Sequence, residues 1–532
     1  MSRQILLGDE AVALGAVHAG LSAAYSYPGT PASEILEYLV RLSAESKAFR
    51  AVWSVNEKVA YEEALGASFA GKRAMVSFKH VGLNVAADPF MNSAITGANG
   101  GFLVVSADDP GMHSSQNEQD SRYYVRFAQI PGFEPSDQQE AYDMAREAFD
   151  LSEKFGLPVL MRLVTRLSHS RSAVATREAR PQNELKKGAG KDWTLLPGIA
   201  RGRFSRLLER QAGLVRYSEE SRFNRLELNA GDRSFGVIAS GIAYNYFREA
   251  VAGDAAPPSF LKISTYPLPE GLVRRLVAHV DKVLVLEDGY PFIEREVTGL
   301  FGIPGKTVLG RASGAVPASG ELTPDIVRRA LGLGPLPSLP MNGLPLANRP
   351  PQLCVGCPHA DTFKALNEAL AGRAGANVFG DIGCYTLGAL PPYSAINSCV
   401  CMGASISMAR GASDVGLHPS VSVIGDSTFA HSGVTPLLGA ARADADMTVI
   451  ILDNGTTAMT GGQPTYGSGQ PLLRLIEGLG VPKDHIRTIE PLPKNHETNV
   501  RVIKDEIEHH GLSVIVAVRE CIQEQRKKRS QA

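Results

Sequence analysis

The sequence predicts three α/β domains, each built on a parallel sheet, and three observations predict them. Short runs rich in β-branched residues, such as Val421–Ile424 and Met447–Leu452, alternate with segments of helical pattern along most of the chain. Glycines mark the turns from strand to helix, which is the punctuation of βαβ units and therefore of parallel sheets. The length, 532 residues of which 44% are hydrophobic, is material for about three to four domains with cores of their own.

Residues 1–170 read as the first domain. Glu10–Ala19 is a helix, Ala23–Tyr27 a strand, and Tyr27-Pro28-Gly29-Thr30-Pro31 a turn that opens a helix at Ser33. Thr30 and Ser33 stand at a helix N-terminus, where they serve as a plain cap or as donors to an anion. A strand over Ala51–Val55 leads into a helix from Asn56-Glu57 to Phe69. There follow a strand at Arg73–Lys79, the loop 79–89, a strand at Gly101–Ser106, a helix at Glu140–Phe155 and a strand at Pro158–Leu163. The loop 107–122 is dense in polar side chains, among them His113, Gln116, Asn117, Gln119, Asp120 and Arg122. A loop of that composition at the carboxyl edge of a strand is either solvated or a substrate lid.

Residues 171–232 read as a linker with one helix near Arg203–Gln211, and residues 233–332 as a smaller α/β domain. Its strands are Phe235–Ala239, Phe260–Ile263 and Lys282–Glu287, its helices Ala243–Ala250 and Leu272–Val280, and its Glu287-Asp288 pair could pass for a catalytic dyad. A Pro-rich linker, 333–351, precedes the third domain, 352–532. There the strand Val421–Ile424, the helical segment 433–443 and the strand Met447–Leu452 form one βαβ unit. Its strands run parallel, so Asp426 and Asn454 emerge on one edge of the sheet. A carboxylate, a carboxamide and a backbone carbonyl after Asn454 suit Mg²⁺ with phosphate and water completing the octahedron. Gly425, Gly455, Gly461 and Gly462 allow backbone to approach a pyrophosphate.

Composition narrows the function classes. A formal net charge of −1 offers no field for nucleic acid, and the basic run Arg526–Arg529 reads as a solvated tail. The longest apolar runs fall far short of the ~20 residues of a membrane span. Asp9 and Glu10 interrupt any signal-peptide core, so a cytoplasmic protein is expected. All six cysteines lie beyond residue 350, at 354, 357, 384, 399, 401 and 521, which argues for thiols or metal ligands and against a disulfide framework. Cys399 and Cys401 read as core.

The pattern Gly425-Asp426-Ser427 followed by Asp453-Asn454 resembles the thiamine diphosphate motif. Its continuation NGTTAMTGGQ (454–463) resembles the 2-oxoacid:ferredoxin oxidoreductases, and WSVNEKVAYEEALGASFAG (53–71) resembles the activating-glutamate segment of that family. The loop ADDPGMHSSQNEQDSR (107–122) resembles, more narrowly, the α subunit of the indolepyruvate ferredoxin oxidoreductases, and the resemblance covers nearly the whole chain. The resemblance implies pyrimidine, transketolase C-terminal-like and pyrophosphate domains, in that order. It implies Mg²⁺ on Asp426, Asn454 and the Thr456 carbonyl, and cofactor contacts from Glu57, Asn84, Gly425, Ser427 and Gln463. Glu57 would be the acid that hydrogen-bonds the thiamine pyrimidine, Thr30 a contact to the substrate carboxylate, and His113, Gln116, Asn117 and Arg122 the substrate loop. Since Glu57 and Asp426 fall in different domains, the site is expected at a domain or subunit interface.

The resemblance further implies oxidative decarboxylation of an aryl 2-oxoacid to its acyl-CoA, with coenzyme A as co-substrate, ferredoxin or an iron–sulfur protein as electron acceptor, and a smaller partner subunit in a hetero-oligomer. The rival readings are a non-oxidative decarboxylase that releases an aldehyde and a non-catalytic subunit. Cys354, Cys357, Cys384 and Cys521 are either the ligands of one [4Fe–4S] cluster or thiols shaping the cofactor pocket. Through Ala532 the sequence has no CxxCxxCxxxC run of the ferredoxin-like module usual in the family, so electrons are expected to leave through that cluster or a partner.

Overall fold

The computed structural model describes residues 3–188, 191, 193–253, 257–337, 343, 350–373 and 375–531. It divides into two compact units, Met1–Pro340 and Met341–Ala532. Most of the Pro-rich passage 333–351 lies outside the described residues.

The first unit holds a seven-stranded sheet in the order Thr265–Tyr266, Gly132–Phe133, Val159–Val164, Phe102–Asp108, Ala74–Lys79, Ala23–Ser26, Arg50–Trp53. Every pairing is parallel except that of Thr265–Tyr266 with Gly132–Phe133. The central strands are buried on both faces, as continuous apolar runs in a parallel sheet should be. Leu103, Val105 and Ala107 pack with the helices Gly8–His18, Ser33–Ser46 and Gln138–Phe155, whereas Phe102 and Val104 pack with Glu57–Phe69 and Ala87–Thr96. That alternation is the two-residue period of a strand. A second sheet follows the order Thr307–Leu309, Lys282–Leu286, Phe235–Ser240, Ser259–Ile263, Arg225–Glu227, the last pairing antiparallel.

Residues 171–232 are more structured than a linker. Arg171–Ala175 pairs antiparallel with Arg3–Leu7, Arg225–Glu227 is the edge of the second sheet, and one helix runs from Pro197 to Glu220. That helix buries only Leu207, Leu214 and Ser218, so its sequence carries little apolar periodicity.

Between the two sheets of the first unit lies a buried ionic network. Arg122, Arg162 and Arg311 meet Asp108, Asp120, Glu134, Glu287 and Asp288, all of them buried. With fewer guanidinium groups than carboxyls, full ionisation would leave buried negative charge uncompensated. Burial raises Asp108 and Glu287, and pushes Asp288 up to about 6. A carboxyl raised in the folded state binds its proton more tightly there than in the unfolded chain. Stability therefore falls as pH climbs from about 4 to about 6, by about 3 kcal/mol for a shift of this size, and levels off above. Asp288→Asn, which keeps an acceptor for the Leu322 N–H, is expected to flatten that slope in urea titrations taken between pH 4 and 7. An unchanged slope would remove Asp288 as its source.

The second unit is a five-stranded, wholly parallel sheet: Asn377–Gly380, Ser420–Gly425, Met447–Asp453, Leu512–Val518, Ile486–Ile489. Helices Pro358–Ala369 and His496–Glu508 cover one face, and Ala404–Asp414, Val434–Ala443 and Gly469–Gly478 the other. The crossover helix starts earlier than its sequence pattern suggests. It opens at Asp426, passes through a wide i→i+5 turn over Phe429–Gly433, and then becomes regular. Among the described residues no helix is long and apolar enough to cross a membrane.

Candidate functional site

In the second unit the register Gly425↔Leu452 brings Asp426 level with Asp453 at the carboxyl edge of the sheet, one residue short of Asn454. Asp426 is 3% exposed; its Oδ1 accepts the Ser427 N–H at 2.7 Å and its Oδ2 the Gly455 N–H at 2.8 Å. Burial, and then the neighbouring Asp453 carboxylate, push Asp426 up to about 8. Asp453 is itself tied down by Ser468 Oγ and the Gly469 N–H, both at 2.7 Å. Asn454 Oδ1 accepts the Thr456 N–H at 3.0 Å, and Asn454 Nδ2 lies 3.2 Å from His359 Nε2. The Asp426 and Asp453 carboxyls also share a hydrogen bond with each other. Two adjoining buried carboxyls beside a carboxamide, with no cation paired to them among the described residues, have the donor chemistry a Mg²⁺ ion requires.

Surrounding residues keep this edge narrow. A Cβ on Gly425 would come within 2.6 Å of the Tyr385 ring, and one on Gly467 within 2.9 Å of the Asp426 carbonyl. Asp381, fully buried, gathers the N–H groups of Ile382, Gly403 and Ser405 and so fixes the start of two neighbouring segments. Ser427 Oγ meets Thr457 Oγ1 at 2.9 Å. The Gln463 side chain closes its own turn, bonding Thr460 through both amide atoms.

Four cysteines gather beside the same edge. The thiols of Cys354 and Cys521 each raise those of Cys357 and Cys384, which burial foremost pushes up to about 11 and about 12. Cys357 stands at the N-cap of the helix Pro358–Ala369, and the nearby His359 and Ala360 N–H groups offset part of the effect of burial on its thiol. The Cys521 N–H donates to the Asn454 carbonyl at 3.1 Å. Two contacts, from Cys521 and His359, thus bind this group to Asn454. Cys399 is only half-buried and Cys401 is exposed, so the expectation that they are core is corrected.

In the first unit Glu57 is the first residue of the helix Glu57–Phe69 and is 6% exposed; the Asn56 side chain caps that helix through the Val59 N–H. Gly82 faces it, where a Cβ would lie 2.6 Å from Glu57 Cγ and 2.9 Å from Oε1. Asn84, one turn end further on, is exposed and accepts the Tyr124 hydroxyl at 2.7 Å. The Thr30 carbonyl accepts Ser114 Oγ at 3.2 Å, and Lys79 Nζ donates to the Ser114 carbonyl at 2.6 Å. Lys79 is buried, which lowers its ammonium to about 8.

The loop 107–122 divides in two. His113 pairs with Glu321 at 3.2 Å, Asn117 Oδ1 lies 3.2 Å from His80 Nε2, and Gln116 is exposed. Arg122, expected with them, is fully buried in the ionic network, its guanidinium committed to Asp120, Glu287 and the Tyr290 carbonyl. The physical reason is the helix Arg122–Ala128, which begins at this residue and turns it inward.

Two family models match the chain: "Pyruvate flavodoxin/ferredoxin oxidoreductase, thiamine diP-bdg" over residues 14–194 and "Thiamine pyrophosphate enzyme, C-terminal TPP binding domain" over 381–516. The indolepyruvate oxidoreductase subunit IorA of Archaeoglobus fulgidus is 40% identical, over 97% of this chain and 86% of that protein. The chain belongs to the IorA family. The IorA subunit of Pyrococcus abyssi is 37% identical over 98% of this chain and 86% of its own length. A solved structure of a 2-oxoglutarate:ferredoxin oxidoreductase from Magnetococcus marinus, with 2-oxoglutarate, coenzyme A and succinyl-CoA bound, shares the fold. Its TM-score is 0.52 at 18% identity, with 62% of this chain and 65% of that chain covered.

In this IorA-family chain the first matched segment contains Thr30, Glu57, Lys79 and Asn84, and the second contains Asp426 and Asn454. The side chains that sequence reading missed are His359, Asp381, Tyr385 and Lys79. Lys79 carried the one usable signal, a cation ending an apolar strand directly before a glycine-containing helix.

Proposed function

We propose that this chain is the thiamine-diphosphate-dependent subunit of an oxidoreductase that decarboxylates an aryl 2-oxoacid of the indolepyruvate kind and yields the acyl-CoA. The observation that carries the reading is the buried Asp426–Asp453 pair beside Asn454 at the carboxyl edge of a parallel sheet. It offers oxygen donors for Mg²⁺ on a diphosphate, inside a segment that matches a thiamine pyrophosphate domain. When bound, thiamine diphosphate supplies the electron sink for loss of CO₂.

The chain's own residues do the rest. Asp426, Asn454 and the Thr456 carbonyl hold the Mg²⁺, with Gly425 and Ser427 beside the diphosphate. Glu57 hydrogen-bonds the pyrimidine ring, with Asn84 nearby on the facing helix. Thr30 and the Lys79 ammonium take the substrate carboxylate, a charge-assisted contact. Cys354, Cys357, Cys384 and Cys521 would hold a [4Fe–4S] cluster, which would supply one-electron chemistry toward ferredoxin or an iron–sulfur partner. A smaller partner subunit completes the cytoplasmic complex.

The test is an anaerobic assay of the chain with its partner subunit, using indolepyruvate, coenzyme A and a viologen dye. Dye reduction that depends on coenzyme A is the expected result. Aldehyde release without reduction would make the chain a non-oxidative decarboxylase, and no turnover would make it a non-catalytic subunit. Protein without iron and without broad absorbance near ~400 nm would overturn the cluster.

A further inference from the structure

Opposite the edge that carries Asp426, three neighbouring strands of the second unit begin side by side: Ser420–Gly425, Met447–Asp453 and Leu512–Val518. Immediately before them stand His418, Asp446 and His510. The register pairs Val421 with Thr448 and Met447 with Leu512, which carried back puts His418 and His510 on a level with Ala445, one residue before Asp446. Both imidazoles turn to one oxygen: His418 Nδ1 lies 3.3 Å and His510 Nδ1 3.0 Å from Asp446 Oδ2. The three ligand atoms all lie within 4.8 Å of one another, and the rings stack with centroids 4.6 Å apart. The other carboxylate oxygen, Oδ1, is held by the Gly511 N–H at 3.3 Å, which sets the plane of the carboxylate.

From this juxtaposition we infer that His418, Asp446 and His510 form a binding site for a divalent cation of the zinc class. Bonds of about 2.0–2.2 Å to nitrogen and oxygen place neighbouring donors roughly 2.9–3.4 Å apart, from octahedral to tetrahedral geometry. The two separations to Asp446 Oδ2 fall in that interval. Two imidazoles and one carboxylate are a ligand set that suits zinc over magnesium, and a backbone N–H on the second carboxylate oxygen is the outer support such sites use. His418 and His510 are exposed, so the remaining coordination positions face solvent and take water. An ion here would clamp the starts of three neighbouring strands. The ordinary alternative is two imidazole N–H groups bonded to a carboxylate with no metal.

Equilibrium dialysis against micromolar Zn²⁺ distinguishes them, with the full chain compared to H418A and H510A. The wild-type protein is expected to bind one equivalent more than either variant, the affinity at that site falling at least about tenfold in each. Circular dichroism without metal should be the same in all three, since both side chains are exposed. Equal zinc content and affinity in the three proteins would overturn the site. X-ray absorption at the zinc edge of the wild-type protein needs no variant. Outer-shell scattering from two imidazoles is expected for the equivalent that the variants lack, and a shell of sulfur alone would assign all bound zinc to the cysteines and overturn the proposal.

Discussion

Glu57→Gln is expected to lower turnover by about 10²- to 10⁴-fold, the range that a positioned proton-carrying group contributes, while leaving thiamine diphosphate bound. Glutamine has the same length and fills the same space over Gly82, but it cannot share a proton with a ring nitrogen as a carboxyl does. Stability should hardly move. Glu57 opens the helix Glu57–Phe69, where the favourable interaction of its charge with the helix dipole is worth about 0.3–1 kcal/mol. The helix cap proper comes from Asn56 and is untouched. Gly82→Ala provides a second handle, because its Cβ would meet the Glu57 side chain at 2.6 Å and displace the carboxyl without altering its chemistry. That variant should show part of the same loss. The measurements are steady-state kinetics in the anaerobic assay and cofactor content by thiochrome fluorescence. Full activity in the glutamine variant would remove Glu57 from the role, and loss of cofactor would make its contribution one of binding.

The parts of the site that could be read from sequence are those in which function and local structure coincide. Asp426 and Asn454 each follow an apolar strand of one βαβ unit, and parallel pairing alone brings them to one edge. Glu57 follows a strand and a capping Asn in the same way. What escaped the sequence depends on segments far apart in the chain. His359 reaches Asn454 across 95 residues, and Asp381 gathers N–H groups 22 and 24 residues away; neither separation leaves a periodic trace. Arg122 shows the converse failure. Its neighbours make a polar string that reads as solvated or as a lid, yet Asp120 beside it and two carboxyls from distant elements, Glu134 and Glu287, hold it in the interior, because a buried guanidinium is tolerated only where its charge is paired and its hydrogens are satisfied. The helix Pro197–Glu220 was legible only in part because a helix that buries so few side chains has no stripe to detect.

Asp426→Asn is expected to separate two effects that ordinarily travel together, weakening cofactor binding while stabilising the ion-free protein. The variant loses the only formal charge among the proposed Mg²⁺ ligands. Disrupting a residue that merely orients a ligand costs about 10–100-fold in metal affinity, so removing the charged ligand itself should cost at least about 100-fold. The gain comes from the same carboxyl. Burial and Asp453 raise it to about 8, above its usual value near 4, so at pH 7 the ion-free fold must hold a proton that the unfolded chain releases. That penalty is on the order of 4 kcal/mol, present at neutral pH and fading as pH falls toward 4. An asparagine avoids it but surrenders one of the two N–H bonds from Ser427 and Gly455, worth about 1 kcal/mol, so the net change should still favour the variant. Thermal unfolding without Mg²⁺ should therefore place Asp426→Asn above wild type, and addition of Mg²⁺ with thiamine diphosphate should reverse the order. A variant less stable than wild type under both conditions would mean that Asp426 is a structural acid whose charge is already compensated, and the edge it occupies would no longer be a candidate for the diphosphate.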